Sequence, residues 1–116
     1  MSAKLTNTFG NITYSDELLS NMAGIATMEC YGVVGMASRR AMDGIVELLK
    51  GENLSKGVKV NADGQIITID LFVVLEYGIS LSAVATNIMD TVKYRVETMT
   101  GLEVKKINVT ISDIRI

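Results

Sequence analysis

From Gln65 to Tyr77 the chain alternates in period two. Ile67, Ile69, Leu71, Val73, Leu75 and Tyr77 fall on one side, and Ile66, Thr68, Asp70, Phe72, Val74 and Glu76 on the other. Successive strand side chains point to opposite faces, so this is a long strand with one wholly apolar face that something must cover. The opposite face is mixed, and its far half, around Phe72 and Val74, also asks for a cover. In a chain of 116 residues such a strand leaves room for one core and one domain, spanning residues 1–116. The economical solution is a layer of helices on a sheet.

The flanking segments agree. Before the long strand, Val58 and Val60 alternate with Lys59 and Asn61 and lead into Asp63-Gly64, the pair that favours a tight β-hairpin turn. After it, Leu81, Val84, Ala85, Ile88, Met89, Val92, Val96 and Met99 form one stripe at helical spacing. Ser80 is placed to cap this helix, Ile79 to staple onto Val84, and Gly101 to end it. The chain then returns to alternation from about Glu103 to Ile111 and closes on Asp113-Ile114-Arg115-Ile116. Ile114 and Ile116 would be wasted in solvent, which points to docking on the sheet or on a neighbouring chain.

The N-terminal half repeats this pattern more weakly. An extended segment, Phe9 to Tyr14, precedes Ser15-Asp16-Glu17, a good N-cap followed by two acids suited to a helix N-terminus. Tyr14 can staple onto Leu19, and the apolar spacing of Leu18, Leu19, Met22, Ile25, Ala26 and Met28 predicts a helix over about 16–30, punctuated by Gly32. Val33 to Ala37 reads as a short buried strand, Ser38-Arg39-Arg40 as a polar break, and residues 41–50 as a short helix stopped by Gly51. The expected fold is an α/β (α+β) two-layer sandwich. Its order is β-α-β-(short α)-β-β-α-β, and its two main helices lie on one face of a mixed sheet.

Composition narrows the function classes. Histidine, tryptophan and proline are absent, and one cysteine, Cys30, is present. Without histidine the chain lacks the commonest general base and metal ligand, so the usual Ser/His and Cys/His pairs and zinc sites are excluded. A lone cysteine forms no intrachain disulfide, which suits a reducing cytoplasm. Lys4 is followed by no apolar run, so neither a signal peptide nor a membrane anchor is expected. Eleven basic against thirteen acidic residues give a net charge of −2. No basic field marks a nucleic-acid or membrane surface.

Individual motifs add little chemistry. Cys30 has Glu29 beside it and no neighbouring cation, so it reads as a structural thiol. Gly32-Val33-Val34-Gly35 matches the spacing of the GxxG loop of KH-type RNA-binding modules, but its middle pair is apolar and lies in a strand candidate. That makes a KH-like module the alternative reading, while nucleic acid is not the expected partner. Ser38, Arg39 and Arg40 form a loop able to hold an anionic group or a partner's carboxylate. The carboxylates are otherwise scattered, and Asp63-Gly64 lacks the alternating acids of a calcium loop, so no metal, cofactor or catalytic residue is assigned.

Taken in order, Gly10-Asn11-Ile12-Thr13-Tyr14-Ser15-Asp16-Glu17-Leu18, Gly32-Val33-Val34-Gly35-Met36, Glu76-Tyr77-Gly78, Thr98-Met99-Thr100-Gly101-Leu102-Glu103-Val104 and Ile107-Asn108-Val109 span nearly the whole chain. Together they resemble the alkaline-shock (envelope stress response) protein family of mainly Gram-positive bacteria, in particular its short YloU-type branch. The resemblance implies a non-enzymatic protein of envelope homeostasis that self-associates and meets the membrane only indirectly, through a partner. It also implies other envelope-stress or lipid-metabolism proteins as partners, among them a protein resembling dihydroxyacetone and fatty-acid kinases. From the residues themselves, self-association is expected through Phe72, Val74, Ile114 and Ile116.

Overall fold

The computed structural model describes residues 2–39 and 47–116. The elements run β1 (Ala3–Asn7), β2 (Gly10–Tyr14), α1 (Asp16–Met28), β3 (Val33–Ala37), β4 (Leu48–Leu49), a 3-10 helix (Gly51–Gly57), β5 (Val58–Asp63), β6 (Ile66–Glu76), α2 (Leu81–Thr100) and β7 (Glu103–Arg115). The expected α+β class holds, with both main helices contributing to one core.

The long strand organises everything else. On β6 the side chains of Ile67, Ile69, Leu71, Val73 and Leu75 are all fully buried. They meet Leu19, Ala23 and Ala26 of α1 and Val84, Ile88, Val92 and Val96 of α2 in a single apolar cluster. Burying side chains of this size stabilises by roughly 1.5–3 kcal/mol each, which is why the alternation decides the fold.

The two edges of β6 are used differently. Along one edge β5 pairs antiparallel with residues 66–71, and β3 follows it end to end, pairing antiparallel with residues 73–75. Along the other edge β7 runs parallel to β6 for its whole length, from Ile66↔Glu103 to Glu76↔Arg115. That parallel pairing requires a crossover, and α2 is the crossover helix. β7 takes up two extra residues, Lys105 and Ser112, where the register shifts.

The caps explain the helix boundaries. The Ser15 hydroxyl accepts from Leu18 N at 3.1 Å and starts α1. Gly101, at φ 77°, ends α2 in the left-handed conformation that suits glycine. Ser80 stands at the N-cap of α2 but makes no side-chain cap bond. Its neighbour Ile79 reaches across so that its Cδ1 lies 2.5 Å from where a side chain on Gly32 would begin. Gly32, at φ 86°, therefore answers both a backbone and a packing demand.

The N-terminal and central regions depart from expectation. The extended segment before α1 is the second half of a hairpin: β1 pairs antiparallel with β2 in a separate two-stranded sheet. Tyr14 does more than staple α1, since its hydroxyl donates to Thr100 O at 2.8 Å and ties the hairpin to the end of α2.

The short helix over 41–50 is corrected where it can be seen. Residues 40–46 lie outside the described residues, but Leu48 and Leu49 form β4, paired with Ala37 and Met36. Gly51 does not stop a helix but opens the 3-10 helix. Leu48 and Leu49 go to the sheet because β3 has an open edge beyond β6 and Leu49 fills the core there.

Candidate interaction surface

Four features were expected to carry function, and the structure separates them. Val74 is 0 % exposed. It pairs with Gly35, over which Leu48 leans, so that a side chain at position 35 would meet Leu48 Cδ1 at 2.6 Å. The far half of the mixed face is thus covered by the chain itself, and Val74 has no surface to offer a second chain. Phe72 is half-buried on the same face, opposite Thr110. Around it the face is polar, with Asn108 donating to Asp70 at 2.7 Å.

Ile114 and Ile116 lie elsewhere, at the C-terminal end of β7. Ile114 is 39 % exposed opposite Leu75, and Ile116 is fully exposed. Tyr77 N donates to Arg115 O, and Glu76 N to Gly32 O, both at 2.9 Å, which brings the exposed Tyr77 and Tyr31 to the same end of the sheet. Two tyrosines and two isoleucines are thus exposed at that end of the sheet.

The Ser38-Arg39 segment sits by the first turns of α1 and the 3-10 helix, Arg39 N donating to Lys56 O at 3.3 Å. Arg39 lines a shallow recess of about 290 Å³ with Asp16, Glu17, Ser20, Ser55 and Lys56. Its mixed charge does not single out an anion. Arg40 lies outside the described residues. The Gly32 to Gly35 segment is not a loop, because Val33 to Gly35 belong to β3 and Gly35 is buried against Leu48 and Leu49. A backbone-clamping GxxG loop needs exposed glycine amides, which this strand does not present.

Cys30 is buried, its thiol 3.6 Å from Ala26 O. Beside it Glu29 receives both guanidinium nitrogens of Arg95, at 2.9 and 2.8 Å, joining α1 to α2. That hydrogen bond and the charge of Glu29 hold Arg95 above its ordinary range. Among the described residues no group of three or more histidine, cysteine or acidic side chains is placed to hold a metal ion. No described helix is long and apolar enough to cross a membrane.

The most extended surface feature is one the residue patterns did not announce: β7 pairs with β6 and with no other described strand. Its outer edge is open along its middle, while the amides of Val104 and Ile114 toward its two ends bond to Glu97 and Asp113. The hairpin of β1 and β2 adds a second exposed feature, with Phe9 at its tip 99 % exposed.

Residues 4–116 match the model of the alkaline shock protein 23 family, described as having a cell envelope-related function. The chain belongs to that family. It is 40 % identical to the uncharacterized protein YloU of Bacillus subtilis (strain 168), over all of this chain and 98 % of that one. The uncharacterized protein Spy1614 of Streptococcus pyogenes serotype M6 is 36 % identical over all of this chain and 97 % of that protein. A stress response regulator gls24 homolog of Streptococcus pyogenes serotype M3 is 27 % identical over 91 % of this chain and 59 % of its own length. Among solved structures, the copper form of the MamM CTD D249H variant superposes with a TM-score of 0.53 over 88 % of this chain and all of that one. At 15 % identity this likeness is one of fold. The alkaline-shock resemblance read from the sequence is thereby established, and with it a cell envelope-related function.

Proposed function

We propose that this chain serves the cell envelope as a non-catalytic interaction protein, associating with copies of itself and with other envelope-stress or lipid-metabolism proteins, and reaching the membrane only through such a partner. The observation that carries this reading is the outer edge of β7, with Ile114 and Ile116 exposed at its end. An open strand edge is a template for another chain, and exposed apolar side chains beside it favour occupancy. The interspersed charge and the net −2 fit a protein partner better than nucleic acid or an anionic bilayer. A dihydroxyacetone- or fatty-acid-kinase-like protein is one such partner, met in the cytoplasm.

The test is genetic and structural together. Deleting the gene in the native host should lower growth under cell-envelope stress, and the wild-type chain should restore it. A folded Ile114→Asp/Ile116→Asp variant should fail to do so. Full rescue by that variant would overturn the assignment of this surface.

A further inference from the structure

The outer edge of β7 is complementary to itself, and the geometry points to a second copy of this chain as its occupant, paired antiparallel about a two-fold axis through Val109. This rests on the self-association proposed above and specifies its register.

Backbone direction comes first. Glu103 N bonds to Gln65 O, and Arg115 O accepts from Tyr77 N, so both ends of β7 turn those residues toward β6. In a parallel pair the residues between such positions turn their N–H and C=O groups away. On β7 these are Val104, Ile107, Val109 and Ile111, which pack in or against the core, and the more exposed Ile114 opposite Leu75. At the two extremes the outward amides are already satisfied within the chain. Val104 N donates to Glu97 Oε2 and Ile114 N to Asp113 Oδ1, each at 2.9 Å. Ile107, Val109 and Ile111 remain as the open stretch.

An antiparallel copy centred on Val109 uses all three. Val109 exchanges both backbone bonds with its own symmetry mate, and Ile107 exchanges both with Ile111. Val104 falls opposite Ile114, so the capped positions meet each other. The bulged pairs Lys105-Lys106 and Ser112-Asp113 also face one another, and every core-facing side chain stays on the core side.

Side-chain charge then selects this register. Glu103 comes opposite Arg115 and Lys105 opposite Asp113, both pairs of opposite sign, with Asn108 opposite Thr110 between them. Within one chain Arg115 Nε lies 3.0 Å from Asp113 Oδ2, so the contact would join existing ion pairs into a network across the axis. Sliding to the next register that keeps the outward groups paired brings Asp113 onto Glu103 in one direction, or Lys105 onto Arg115 in the other. Both place like charges opposite, which destabilises. Lysines and bulges, the usual guards of an edge strand, stand at the ends of β7 and leave its middle clean.

The test mixes two single-cysteine proteins in a Cys30→Ala background, Asn108→Cys and Thr110→Cys, both at exposed positions. Across a non-hydrogen-bonded pair the Cα atoms stand about 4.5 Å apart, within disulfide reach. Mild oxidation should cross-link the mixture, while either protein alone should stay uncross-linked because its own cysteines lie diagonally too far apart. Cross-linking of the single variants, or of none, overturns the register. If the wild type nevertheless sediments as a dimer, self-association stands and only this geometry falls. As a second arm, Lys105→Asp and Asp113→Lys should each raise the dissociation constant about tenfold through like-charge contacts in both symmetric pairs, and the double reversal should restore it. Equal weakening by all three variants contradicts the proposal.

Discussion

At the scale of single residues, the absence of a side chain can matter as much as its presence. Gly57 ends the 3-10 helix where a Cβ would stand 2.7 Å from Ala37 O and 2.8 Å from Met36 Cβ. Both neighbours belong to β3, one of them as backbone, so neither can rotate away. Gly57→Ala should therefore cost about 1–3 kcal/mol through overpacking, read as a lower denaturant midpoint at unchanged slope. An unchanged midpoint would mean that β3 and the 3-10 helix are not in contact as described. Nothing in the sequence marks Gly57 as tighter than Gly64, which faces open space in a hairpin turn. Glycines look alike in sequence, and their roles are set by what arrives beside them in the fold. Val74 teaches the same lesson: the alternation placed it on the right face, but only the paired β3 and β4 show that the chain covers it itself.

At the scale of elements, what was legible was what rests on local periodicity. The alternation of β6, the stripe of α2 and the Asp63-Gly64 turn each encode their own geometry, and each appears where the residues put it. What was not legible depends on distant pairing. β1 has too few apolar residues to declare itself and exists because β2 pairs with it, while Lys4 N bonds to Gly64 O at 2.9 Å. Leu48 and Leu49 carry helical spacing with Ile45 and Val46 but answer to the open edge of β3. Caps sit between the two cases. Ser15 and Ser80 look equivalent in sequence, yet only Ser15 makes its cap bond. Ser15→Ala should lower stability by about 1 kcal/mol and Ser80→Ala by a few tenths at most, measured by urea unfolding. Equal losses would show that Ser80 caps α2 after all.

At the scale of the whole molecule, the proposed interaction role rests on which surfaces the fold leaves uncovered. The core face of the sheet is filled by α1 and α2, and the far half of the other face by the chain itself. What remains open among the described residues is the outer edge of β7, the exposed side chains at that end of the sheet and the tip of the β1–β2 hairpin. The expected surface was a sheet face centred on Phe72 and Val74. Val74 is fully buried, whereas Ile114 and Ile116 are exposed at the end of β7, the strand at the margin of the same sheet. Sequence could not show this, because an edge strand and a central strand share one alternation and differ only in their neighbours. The most direct measurement is sedimentation equilibrium of the wild-type chain across the micromolar range. The expected result is a reversible, concentration-dependent dimer that Ile114→Asp/Ile116→Asp weakens. A strict monomer throughout that range would contradict it.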